Sequence, residues 1–155
     1  MLKQTIQKDL FQAVKEGDEI TRSTLRLLLA GILNKEKEKK YKTSKEELTD
    51  EEIIEVIFSE AKKRKEAIIE YKRGGREDLS DKEKAELEVL QKYLPEQLSE
   101  EELKKITKEA IEKVRAKEVK DIGRVMAEIM PEVKGKADGS AVSKIVKELL
   151  VSKNE

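Results

Sequence analysis

The stretch Met126 to Leu150 reads MAEIMPEVKGKADGSAVSKIVKELL. Met126, Ile129 and Val133 fall three and four residues apart, and Val142, Ile145, Val146, Leu149 and Leu150 repeat the pattern. That spacing stacks side chains on one face of a 3.6-residue helix, so each run predicts an amphipathic helix. Between them lies KGKADGS, Lys134 to Ser140, which cannot be helical throughout. Gly135 is placed to end the earlier helix with positive φ, and Asp138 to cap the later one.

Working back toward the start, the same periodicity recurs. Leu2, Ile6, Leu10 and Val14 predict a first helix ending near Gly17. Asp18 caps a second, with Leu25, Leu28, Leu29 and Ile32 inward, running to about Tyr41. Thr49 with Glu52 forms a capping-box pair opening a long third helix with Ile54, Ile57, Phe58, Ala61 and Ile68, stopped at Gly74-Gly75. Ser80 with Glu83 repeats the pair before a fourth helix carrying Leu87, Leu90 and Leu94. Pro95 lacks an amide proton and disfavours a helical Leu94, so the chain breaks there. Ser99 with Glu102 opens a fifth helix carrying Leu103, Ile106, Ala110 and Val114, and a sixth begins near Asp121. The expectation is an all-α protein of about seven helices in two subdomains. Residues 1–95 form a four-helix part and 96–155 a three-helix bundle.

Composition agrees with that class. Of 155 residues, 44% are charged and 3% aromatic, with seven Gly and two Pro, a turn-poor Lys/Glu-rich profile typical of helical proteins. A chain this long buries roughly 70% of its unfolded surface, enough to fold without a metal or disulfide. The sequence has no Cys and no His, which excludes cysteine nucleophiles, Cys/His zinc sites and a histidine-based triad. No run approaches 18 apolar residues and the start lacks an apolar signal core, so a cytoplasmic protein with no membrane contact is expected.

Thirty-four basic residues balance thirty-four acidic ones, with 21 of each sign in 1–95 and 13 of each in 96–155. Such balance argues against a strong polyanion binder and leaves room only for a local contact. The clusters KKRK (Lys62 to Lys65) and KRGGR (Lys72 to Arg76) read as solvated faces, the first diluted by its neighbours Glu60 and Glu66. Met126 and Met130 read as ordinary core.

The corner supports two readings. One is a plain turn. In the other, the start of the last helix offers amides at Gly139, Ser140 and Ala141, at the positive end of its dipole, beside Lys134 and Lys136. Residues 120–147 add Lys120, Arg124, Lys144 and Lys147, giving six basic and four acidic groups. The nominated phosphate-binding set is Lys134, Gly135, Lys136, Asp138, Gly139, Ser140, Lys120, Arg124 and Lys144. The spacing is not that of a phosphate-binding P-loop, and no strand precedes it.

At YLPEQLSEEEL (Tyr93 to Leu103) and DIGRVMAEIMPEVKGKADGS (Asp121 to Ser140) the sequence resembles the GatB/YqeY family, in its free-standing YqeY-like branch. The resemblance spans nearly the whole chain and implies two small helical subdomains. In larger relatives the module is the C-terminal tail of the B subunit of a tRNA-dependent amidotransferase, where it is implicated in holding the tRNA body. That enzyme amidates glutamate or aspartate misattached to tRNA, using ATP, Mg²⁺ and ammonia from glutamine. The family's Gly-Lys-Ala-Asp/Asn segment falls on Gly135, Lys136, Ala137 and Asp138. The kinase-like domain of that subunit and the Gly-Ser-Ser pattern of the amidase subunit have no counterpart here.

The resemblance therefore implies tRNA and amidotransferase subunits as partners. It implies no catalytic residue, metal or cofactor in this chain. The leading expectation is a non-catalytic tRNA-binding module accessory to glutamyl/aspartyl-tRNA transamidation. The alternative is a protein-interaction adaptor docking on an enzyme core without RNA. A carbon–nitrogen ligase in its own right, with glutamine as amido-N-donor, ranks last.

Overall fold

The computed structural model describes residues 1–153, and among these the protein is all-α. Seven α-helices follow in order: α1 (Leu2–Glu16), α2 (Glu19–Thr43), α3 (Asp50–Arg73), α4 (Glu77–Gln91), α5 (Glu100–Val114), α6 (Ile122–Val133) and α7 (Gly139–Lys153). A single 3-10 turn, Val119–Asp121, leads into α6. The chain falls into two compact units, Met1–Leu94 and Pro95–Glu155.

Helix ends follow local chemistry. Gly17 stops α1 in the left-handed conformation at φ 71°, and the Asp18 carboxylate accepts from the Thr21 amide to start α2. Both Thr49 and Ser99 accept from the N3 amide while Glu52 and Glu102 reach back, completing the two capping boxes. The Ser80–Glu83 box does not form. Instead the N-cap of α4 is Arg76, four residues before Ser80, after Gly75 turns the chain at φ 72° and the Arg76 amide donates to Tyr71 O at 2.8 Å. Glu77 and Asp78 complement the positive end of the helix, and the Ser80 amide donates to Arg76 O at 3.0 Å. Ser80 is then a fully buried contact residue whose hydroxyl faces Ile68 O at 3.5 Å.

In the N-terminal unit, Ile6, Leu25, Leu28, Ile32, Ile53, Ile57, Ala61, Val89 and Leu90 form the core. The inward face of α3 is centred on Ile53 rather than Ile54, with Ile54 and Phe58 only half-buried. Val14, expected inside, is 46% exposed because Ala13 takes the inward position of α1. Charged groups enter this interior: Arg64 Nη1 donates to Glu60 Oε2 at 2.6 Å, with Glu86 Oε2 3.5 Å from Arg64 Nε. Lys3 Nζ reaches the buried Glu36 carboxylate at 2.8 Å. Arg64 thus departs from the solvated face read for KKRK.

The C-terminal unit has an apolar core of Leu103, Ala110, Ile111, Ala116, Val125, Ile129, Val133, Val142, Ile145, Val146 and Leu150. Met126 and Met130 pack against it, as ordinary core residues do. Its one buried polar side chain among the described residues is Thr107, whose hydroxyl donates to Leu103 O one turn back at 2.7 Å.

Candidate functional site

The corner between α6 and α7 is built by backbone bonds that return to the last turn of α6. Lys134 N–H donates to Met130 O at 3.0 Å, and the Lys136 and Ala137 amides both donate to Val133 O, at 2.9 and 3.0 Å. Reversal requires Gly135 at φ 76°, a conformation that costs a side-chain-bearing residue about 1–2 kcal/mol. Gly135 is buried here, so its own backbone is not open to a ligand.

Beyond it, α7 starts under Asp138. The Asp138 carbonyl accepts from Val142 N–H at 3.0 Å, the first bond of the helical ladder, which leaves the amides of 139–141 outside it. One of those three is already taken: Ser140 N–H and its hydroxyl face Asp138 Oδ1 at 3.3 and 3.4 Å. The expected trio of open donors is therefore reduced, because the capping carboxylate occupies the place an incoming anion would use. Gly139 is exposed, with nothing within 4 Å of where a Cβ would stand. The protein's own packing does not require a glycine there.

Not all the nominated cations meet at this corner. Lys120 and Arg124 lie at the opposite end of α6, whose 12 residues at about 1.5 Å each make about 18 Å. Both are engaged there. Lys120 Nζ pairs with Glu118 at 2.9 Å, which raises its pKa. Arg124 pairs with Asp121 at 3.3 Å and donates to Val114 O at 3.0 Å. The Asp121 carboxylate accepts from the Lys117 and Glu118 amides at 2.9 and 3.1 Å, and these bonds, ahead of Arg124, hold its pKa below the ordinary value. This cluster organises the 3-10 turn. Lys144 sits on the exposed face of α7, six residues or about 9 Å past Asp138. Lys134, Lys136, Asp138, Gly139 and Ser140 share the corner, with Lys144 along the helix that leaves it.

Sequence reading passed over Gln97. Its Nε2 donates to Gly135 O at 2.8 Å, and Leu98 N–H donates to Lys136 O at 2.9 Å, so the segment after Pro95 is bonded to the corner. A lone half-buried glutamine carries no periodic signal; only its place in LPEQLS could have drawn notice. An open polar groove of about 410 Å³ between α2 and α3 is lined in part by Asn34, Lys35, Glu60 and Lys63. Lys35 pairs with Glu38 and Lys63 with Glu60, so the groove has no evident bias of charge.

Among the described residues, no group of three or more His, Cys, Asp or Glu could hold a metal ion. No described helix is long and apolar enough to cross a membrane.

Comparison with known proteins bears on identity and on compartment. The family described as Yqey-like protein matches residues 3–150. "Altered inheritance of mitochondria protein 41, mitochondrial" of Pyrenophora tritici-repentis is 32% identical over 151 residues, 96% of this chain and 80% of the relative. An uncharacterised protein of Schizosaccharomyces pombe is 34% identical over 98 residues, 63% of this chain and 76% of that protein. The namesake of the first in Vanderwaltozyma polyspora is 37% identical over 90 residues, 57% of this chain and 46% of its own length. These names correct the cytoplasmic expectation: they point to mitochondria. The inference from a missing apolar signal core failed because mitochondrial targeting uses amphipathic, Arg-rich segments, which that criterion does not register. With 148 of 155 residues inside the family match and relatives above 30% identity, the chain belongs to the YqeY-like family.

Proposed function

We propose that the protein is a non-catalytic helical module that contacts tRNA through the α6–α7 corner, as an accessory to glutamyl/aspartyl-tRNA transamidation. The observation that carries this reading is Gly139. It is exposed at the first position of α7, beside Lys134 and Lys136, and its missing side chain leaves space the protein itself does not fill. A phosphate oxygen could approach the amides there, with the helix dipole and two ammonium groups nearby. Asp138 opposes it, so the contact is weak and confined to a few phosphates. Lys144 extends the positive edge along α7, while Lys120 and Arg124 drop out because they lie at the far end of α6. With 3% aromatic residues, recognition is electrostatic and directed by shape rather than by base stacking.

Two phosphates neutralised by Lys134 and Lys136 imply that affinity falls about tenfold between about 50 and about 200 mM salt. A gel shift with bulk tRNA at both salts tests this, with Lys134→Ala/Lys136→Ala alongside. The double variant should lose most of both the binding and the salt dependence. Absent or salt-insensitive binding by the wild-type protein rejects the reading.

An adaptor that docks on an enzyme core without touching RNA is favoured by a different observation. Phe11, Leu27 and Tyr41 are 62, 56 and 93% exposed in the N-terminal unit. Nuclease-insensitive association with amidotransferase subunits, lost on Phe11→Ser or Leu27→Ser, would select this reading over the first.

A further inference from the structure

The corner is held from outside its own two helices. Gln97 Nε2 has two protons, and each meets a carbonyl oxygen at 2.8 Å, one on Pro95 and one on Gly135. The group is saturated and its orientation fixed, since the flipped amide would set its own oxygen against both carbonyls. Leu98 N–H takes the next carbonyl along, Lys136 O, at 2.9 Å.

These bonds bracket one residue. The peptide before Lys136 is pinned through Gly135 O by Gln97 and through Lys136 N–H by Val133 O. The peptide after it is pinned through Lys136 O by Leu98 and through Ala137 N–H by Val133 O. With both flanking planes fixed, φ and ψ of Lys136 are fixed, and so is the direction in which its side chain leaves the backbone.

We infer that Gln97 is a positioning residue: it locks the Gly135–Lys136 peptide, aims Lys136, and couples anything bound at the corner to the order of residues 95–98. The functional half rests on the corner being a phosphate contact. The coupling is reciprocal, because a ligand that prefers the latched corner must also stabilise the latch.

Hydrogen exchange and tRNA binding are to be measured on the full chain and on Gln97→Met, which keeps the length of the side chain and removes both donors. Gln97→Asn, too short to span both acceptors, serves if the Met variant fails to fold. In the variant the Leu98 and Ala137 amides should exchange about tenfold faster while core amides such as Val146 keep their rates. Bulk tRNA should slow Leu98 exchange in the wild-type protein, and the variant should bind it about threefold or more weakly with an unchanged salt slope. Unchanged Leu98 and Ala137 exchange in the variant overturns the latch itself. Equal tRNA affinity, with Leu98 exchange indifferent to tRNA, overturns the positioning role. If the wild-type protein binds no tRNA at low salt, the functional reading falls and the aiming role with it. Exchange in the variant then still reports whether the latch exists.

Discussion

The two units solve the same packing problem with different interiors. In Met1–Leu94, Glu36, Arg64, Glu86, Thr24 and Ser80 are buried among the aliphatic residues. Among the described residues of the C-terminal unit the buried side chains are aliphatic except for Thr107, which bonds its own helix. The difference is one of constraint. A buried charge tolerates only the register that supplies its partner, so the N-terminal unit gains directional specificity and carries a desolvation cost. An apolar core is non-directional, so the C-terminal unit fixes its α6–α7 corner by backbone hydrogen bonds, one left-handed glycine and the Gln97 side chain.

The largest expected effect breaks the N-terminal side of this contrast. Arg64→Ala leaves the Glu60 and Glu86 carboxylates without their shared cation and should destabilise that unit by about 3–5 kcal/mol in urea unfolding. Arg64→Met combined with Glu86→Leu should restore most of the loss, since apolar replacement of a buried pair is often neutral or better. If the single and double variants lose the same amount, the charges do not act as a unit.

Next comes the C-terminal side. Ile129 is 1% exposed, and Ile129→Ala should cost about 2–5 kcal/mol with no pH dependence of the loss. A loss that varied strongly with pH would mean that this interior is not the dry one described. Gly135→Ala should cost about 1–2 kcal/mol through its φ of 76°. Asp138→Ala should cost about 1 kcal/mol as a lost cap, yet raise tRNA affinity a few-fold by uncovering the Ser140 amide and removing a negative charge. Weaker tRNA binding in that variant would place the contact elsewhere.

The smallest effect concerns acid. The Asp121 pKa is lowered chiefly by the amides of Lys117 and Glu118, so its contribution is present above the ordinary carboxylate value. It is lost as pH falls through the lower folded value. Asp121→Asn should flatten the acid side of the stability curve of the C-terminal unit. An unchanged acid limb contradicts the bonding described at the 3-10 turn.

Most of the helices were legible because periodicity and caps depend on neighbours in sequence. Thr49/Glu52 and Ser99/Glu102 act within one turn, and there the local pattern holds. Ser80/Glu83 has the same pattern and fails because packing against Ile68 O places Ser80 inside α4, which no local rule contains. The one-position shift of the α3 face and the burial of Arg64 are likewise set by what lies across the interface.

At the corner, Gly135 and Asp138 were readable as turn and cap. That Asp138 blocks the Ser140 amide follows from a side-chain rotamer, which spacing does not convey. That Lys120 and Arg124 are engaged follows from the local fold of the 3-10 turn. Gln97 escaped because its bond to Gly135 O spans 38 positions, beyond the reach of any local pattern.

The most direct test of the central claim is an amide-resolved NMR titration of the full chain with bulk tRNA at low salt. The account predicts shifts concentrated at Lys134 to Ala141, extending to Gln97, Leu98 and Lys144, and reversed by added salt. Shifts confined to α1 and α2 around Phe11 and Leu27, or no shifts at all, would contradict it.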